Sequence, residues 1–302
     1  MEAPLSIFSS SPLRLILFLC LLIIGGDRAI YGLAQHLISQ SQFRFARLYN
    51  QTITAEVAIF GNSRAVHAFF APALADALCR PVVNLGYNGI GIETVAALTF
   101  DAADRIPDLR IAIIEVSSLF STNGQARSFS TFAADSQRLR QLQSTQFQAH
   151  FPWNRVFLSL SLNNDIFWRS LRYQRHSDQS WIMRHAMSST RPTPRSTPNW
   201  HIASADISIL SALLEELDRR GIEPLLVVGP YHPMSQRSAA EWPRQVADLL
   251  GYPILDLSAA ITNPQAFADP IHTNLTGALE LIGLLRPSLT ACPEPTDLMP
   301  QS

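Results

Sequence analysis

The chain has 302 residues, 47% hydrophobic and only 16% charged, enough apolar material for a full core, which excludes an intrinsically disordered protein. A net charge of -1 gives no field to steer it onto phosphate backbones, which argues against a nucleic-acid partner. All 23 basic residues are arginines, and the missing lysine excludes Schiff-base chemistry and the P-loop.

Residues 1–12 read as a tail. Leu15 to Gly26 (LILFLCLLIIGG) carries no charge but is shorter than the roughly 18 to 20 residues of a spanning helix. Apolar residues resume at Ala29, Ile30 and Leu33, Arg14 is able to snorkel, and no small-x-small cleavage site follows. Residues 13–33 are therefore expected to be an N-terminal membrane helix, with a cleaved signal or a hydrophobic surface helix as alternatives. Arg14 precedes the run while Arg28, Arg44 and Arg47 follow it, so charge does not fix the orientation. The expectation is a single-pass anchor with a periplasmic or otherwise extracytoplasmic domain. In such a compartment Cys79 and Cys292 would pair, the alternative being two buried free thiols.

Residues 34–54 read as an amphipathic connector, with Phe43, Phe45, Leu48 and Tyr49 among Arg and Gln. From residue 55 to 287 short Val/Ile-rich runs alternate with helical patterns, the signature of an α/β domain with a parallel sheet of about five strands. The expected strands are Val57–Phe60, Val82–Leu85, Ile111–Ile114, Leu225–Val228 and Pro253–Leu255, with helices over 93–103, through Ile207 to Leu217, over 242–250 and from Leu275. The alternation lapses over about 118–204, too long for a plain connection, so this insert needs structure of its own and reads as a cap or lid. Its Trp153, Trp168, Trp181 and Trp200 either pack a small core or face a sugar ring. Residues 288–302 read as a C-terminal tail.

The first strand ends in Gly61-Asn62-Ser63-Arg64, which places a serine on the turn where parallel sheets hold their ligands. A glycine-rich turn, Gly86-Tyr87-Asn88-Gly89-Ile90-Gly91, follows the second strand, but its spacing is not the dinucleotide fingerprint, so no cofactor is expected. Near the carboxyl end stands Asp269-Pro270-Ile271-His272, just before a helical pattern. Three residues apart on a turn, a carboxylate reaches the imidazole Nδ1 and leaves Nε2 as a base for a serine. His67 and His232 fall near strand ends lining the same cleft, yet with His272 they share no metal-ligand spacing, so no metal is expected.

Together the Gly-x-Ser and Asp-x-x-His blocks resemble the SGNH (GDSL-like) hydrolase family over Val57 to Pro287, the insert aside. The resemblance implies a three-layer sandwich, Ser63 as nucleophile, Asp269 and His272 as its relay, and an oxyanion hole from the Ser63 and Gly89 N–H groups. It also implies an asparagine after the third strand, where Leu119 stands instead; Ser117, Ser118 and Asn123 are the nearby substitutes. Asn88, Ser118 and His232 are expected to touch substrate, and Arg64 either to bind an anionic group of it or to pair with a carboxylate. Within the family the chain looks most like membrane-anchored bacterial envelope proteins that O-acetylate polysaccharides. That implies an acylated carbohydrate or small ester as substrate and a membrane acyltransferase as partner. The alternative is a non-catalytic SGNH-like scaffold that binds glycan or a membrane protein; a nucleotide-binding α/β protein is a third reading.

Overall fold

The computed structural model describes residues 11–146, 151–178, 181–187, 200–235 and 241–289. Cys292 lies outside them; Cys79 is disulfide-bonded and Cys20 is free and exposed.

The chain opens with α1 (Ser11–Ser39) and α2 (Arg44–Tyr49), then enters a parallel sheet at β1 (Val57–Phe60). After β1 come α3 (Ser63–Ala68), α4 (Ala71–Leu78), β2 (Val82–Asn84), α5 (Ile92–Arg105) and β3 (Ile111–Glu115). The insert holds 3-10 turns and the helices α6 (Gln137–Gln146), α7 (Phe151–Val156) and α8 (Asp165–Arg172). The domain closes with α9 (Ser204–Arg219), β4 (Glu223–Val228), α10 (Trp242–Leu250), β5 (Ile254–Asp256) and α11 (Leu275–Leu285).

The sheet is all-parallel with order β2-β1-β3-β4-β5, and β1 pairs in register with β2 on one side (Ile59 with Asn84) and β3 on the other (Phe60 with Ile114). Both faces are covered, which is why the strands are continuous apolar runs rather than alternating ones. Ala58, Phe60, Ala112 and Ile114 face one core with α5, α9 and α10, while Val57, Ile59, Ile111 and Ile113 face the other with α3, α4 and α11. The chain leaves β1 toward β2 and later returns to β3 on its other side, so the crevice at the carboxyl ends of β1 and β3 is the topological switch point.

Two expectations need correction. Residues 34–54, expected as an amphipathic connector, are built into the domain: α1 runs on to Ser39, and Phe43, Phe45 and Leu48 are fully buried. Phe45 packs edge-on against Tyr87 and Phe129, and buried Arg44 stacks over Trp181 while donating to the Gly86 carbonyl. The expected anchor over 13–33 does not hold as a membrane-crossing helix, since no described helix is long and apolar enough to cross a membrane. The charge-free run ends at Asp27, whose buried carboxylate accepts from the Leu158 and Ser159 N–H groups (both 3.0 Å) and the Ser159 hydroxyl (2.6 Å). From there α1 belongs to the domain, with Ala34 and Ile38 in its core.

Candidate active site

Ser63 is the first residue of α3, two residues past a turn at Gly61 that only glycine fits: its φ is +144°, and a Cβ would lie 2.8 Å from Ala65 Cβ and 2.9 Å from Glu115 Cβ. Asn62 caps α3 by accepting from Arg64 N–H (2.9 Å), and its amide donates to Ser121 Oγ (2.7 Å). The nucleophile turn is thus fixed from both sides and leaves Ser63 half-buried.

The loop before α11 brings Asp269 and His272 to this turn. Asp269 Oδ1 accepts from the backbone N–H groups of Ile271 (2.9 Å) and His272 (3.0 Å), closing a local turn. Its Oδ2 lies 2.7 Å from His272 Nδ1, and His272 Nε2 lies 2.7 Å from Ser63 Oγ. With Nδ1–H donating to the carboxylate, Nε2 is the acceptor for the Ser63 hydroxyl. Burial raises the Asp269 pKa, but the His272 hydrogen bond and the two backbone donors outweigh it and hold the carboxyl at about 2. The three residues, 209 positions apart at the extremes, form one hydrogen-bonded chain able to deprotonate a serine.

Of the two readings of Arg64, substrate ligand or carboxylate partner, the structure shows the second. Its guanidinium is buried, paired with Glu115 at the end of β3 (3.2 Å), and donates to the carbonyls of Ile271 (2.9 Å), Pro230 (3.2 Å) and Gly229. It also lies flat on the Tyr231 ring, 3.5 Å from its centroid. The residue after the nucleophile therefore ties the ends of β3 and β4 to the His272 loop. Ser118 is likewise withdrawn: fully buried, it donates to the Glu115 carbonyl (3.0 Å).

His232 is buried with its ring on Phe267 and its Nδ1 accepting from Met234 N–H (3.2 Å), and among the described residues its buried Nε2 has no hydrogen-bond partner. Asn88 is half-buried with Oδ1 unpartnered. Gly89 stands at a φ of +67° and accepts from Gln125 N–H (3.1 Å); no described hydrogen bond joins it to the triad, although its loop reaches the nucleophile turn through Tyr87 N–H to the Gly61 carbonyl (3.0 Å). Leu119 is buried, Ser117 donates to Glu115 (2.5 Å), and Asn123 Oδ1 accepts from Gly91 N–H (2.6 Å) and the Thr94 hydroxyl (3.0 Å). Each substitute for the missing asparagine is thus engaged within the protein.

One contact has no signal in the sequence. His67 stacks edge-on against His272, with centroids 5.1 Å apart, and its Nδ1–H donates to the Trp181 carbonyl (2.6 Å). Burial, then the neighbouring His272, lowers its pKa to about 4, so it is neutral near pH 7. Trp181 belongs to residues 181–187 of the insert, which run across the loop: Leu275 N–H donates to the Met183 carbonyl (2.8 Å) and Met187 N–H to that of Phe267 (2.7 Å). This strap of the expected lid meets the triad loop, whereas α6 packs on α5 and α8 on α1. A cavity of about 140 Å³ lies in the insert beside Tyr31 and Leu158, and no triad residue lines it. Among the described residues no group of three or more metal-ligating side chains converges.

No family model and no curated protein matches the chain. Two solved structures are similar in shape. One, from Bacteroides fragilis and provisionally named an acylhydrolase, aligns at 10% identity with a TM-score of 0.43 over 81% of this chain and 93% of its own. The other, from Streptococcus pneumoniae and provisionally named a platelet activating factor, aligns at 10% identity with a TM-score of 0.44 over 92% and 99%.

Proposed function

We propose that the chain is a serine O-acyl esterase or acyltransferase that acts on an ester of a cell-envelope glycan, on the extracytoplasmic side. The observation that carries this reading is the continuous Ser63–His272–Asp269 hydrogen-bonded chain at the switch point of a parallel sheet. In this mechanism Ser63 Oγ attacks the ester carbonyl while its proton passes to His272 Nε2, and the imidazolium is stabilised by Asp269, which stays ionised. The N–H groups of Ser63 and Gly89 hold the oxyanion. Collapse expels the alcohol, which takes the proton from His272, and leaves an acyl group on Ser63. Water or a sugar hydroxyl, deprotonated by the same imidazole, then takes the acyl group. The glycan assignment draws on the sequence resemblance; the disulfide at Cys79 supports an oxidising compartment.

Leu119 favours a second reading, a scaffold that keeps the fold and binds glycan without turnover. Lacking one oxyanion donor costs roughly 3 kcal/mol in the transition state, about a hundredfold or more in rate, so a slow enzyme is expected rather than a dead one. A fluorophosphonate probe decides between them. Labelling that disappears in Ser63→Ala, together with loss of p-nitrophenyl acetate turnover, supports the esterase; an unlabelled but cooperatively folded wild type supports the scaffold.

A further inference from the structure

We propose that α1 and the insert form one lipid-facing surface, with Leu15–Ile24 immersed in a bilayer and Trp153 and Trp168 resting at its interface. The first observation is the direction of exposure. From Leu15 to Ile24 every leucine, isoleucine and phenylalanine is exposed, from 44% to 71%, on all sides of the helix. A protein partner covers one stripe of a helix, whereas an apolar surface that runs all the way round calls for a medium that surrounds it. A second copy is the weaker occupant: the segment is about 15 Å long at 1.5 Å per residue, and pairing two such lengths buries well under the roughly 1,000 Å² of a stable interface.

The second observation is what stands at the foot of this segment. Asp27 bolts α1 to the turn at Leu158–Leu162, α7 packs on that turn, and α8 packs along α1. These pieces turn Trp153 (61% exposed), Trp168 (61%) and Leu160 (47%) outward, while Trp181 and Trp200 of the same insert are packed inside on Phe43 and on Phe120 with Trp242. Two exposed indoles beside an emerging apolar helix have the amphipathic character of an interfacial aromatic belt. Charge agrees. Arg28 pairs with Asp27 and Arg169 with Asp165, and α1, α7 and α8 also carry Arg14, Arg155 and Arg172 with no further acidic residue, so the balance of this surface is positive and complementary to anionic headgroups. The immersed length is about half the roughly 30 Å of a hydrocarbon core, so the segment lies submerged beneath one interface without crossing the bilayer, and Arg14 at its end snorkels back to the headgroups.

Flotation of the full chain with vesicles of phosphatidylcholine, alone and mixed equally with phosphatidylglycerol, tests this, with tryptophan fluorescence read against brominated lipid. The wild type is expected to float, more tightly on the anionic mixture, and its emission to be quenched. Leu19→Glu with Ile23→Glu is expected to stay at the bottom of the gradient. Trp153→Ala and Trp168→Ala are each expected to weaken binding roughly tenfold, and quenching to vanish in the Trp153→Phe/Trp168→Phe pair. All these positions are exposed, and unchanged thermal melts confirm folding. Flotation that survives the two glutamates, quenching that survives loss of both indoles, or a soluble dimer that ignores vesicles overturns the proposal. It stands apart from the esterase reading, because Ser63 labelling is unaffected by either set of variants.

Discussion

Arg64 shows how much a single buried charge holds in place. Its guanidinium meets one carboxylate and three carbonyls drawn from β3, the loop after β4 and the His272 loop. Arg64→Met keeps the apolar stem of the side chain but strands Glu115 as an unpaired buried charge, and breaking such a pair costs about 3–5 kcal/mol. Chemical denaturation is expected to show that loss, with a fall in Ser63 labelling at temperatures where the variant is still folded. His67 supplies a pH signature at the same scale. Its pKa is 6.5 unfolded and about 4 folded, in an environment shared with His272, Asp269 and Arg44. The unfolded state binds the proton first, so stability is full above pH 6.5 and declines as pH falls toward 4. Between those values the wild type is expected to lose roughly 3 kcal/mol more than His67→Gln, measured by urea unfolding at stepped pH.

At the scale of elements, α11 depends on a contact that propensity opposes. Alanine normally improves on glycine in a helix by about 1 kcal/mol. A Cβ at Gly277 would instead lie 2.3 Å from the Ala266 carbonyl and 3.0 Å from Thr273 Cβ. Gly277→Ala is therefore expected to destabilise by roughly 1–3 kcal/mol and, because α11 begins three residues after His272, to reduce Ser63 reactivity as well. The central strands were legible in advance because burial on both faces writes itself into composition, the VAIF of β1 and the IAII of β3 being apolar throughout, and α11 because its apolar residues recur at helical spacing. The triad was legible for a local reason, since Asp269 and His272 share one turn. What stayed hidden depends on partners far along the chain. The residues of α2 read as part of an amphipathic connector, and their full burial depends on Tyr87, Phe129 and Trp181, which arrive from far along the chain. Arg64 reads equally as substrate ligand or carboxylate partner until Glu115 and three distant carbonyls converge on it. Trp181 reaches His67 through a backbone carbonyl, which every residue possesses, so no residue type announces it.

For the molecule as a whole, α1 is two things in one helix. Its first half is exposed, while from Asp27 onward it carries hydrogen bonds and core residues. Removing residues 1–25 is expected to leave melting temperature and Ser63 labelling unchanged. Removing residues 1–42 takes Asp27, Ala34 and Ile38 as well and uncovers Phe43, and thermal unfolding is expected to fall by 10 °C or more, in keeping with the loss of two or more kcal/mol.

The strap at residues 181–187 bears on anyone wishing to engineer this protein. A minimal catalytic module suggests itself on paper, the sheet and its covering helices with the excursion between β3 and α9 replaced by a short linker. Such a chimera would delete the carbonyl that fixes the tautomer of His67 and the one that receives the first N–H of α11. Excision must therefore spare those seven residues, or the trimmed protein will keep its sheet and lose the alignment of its imidazole.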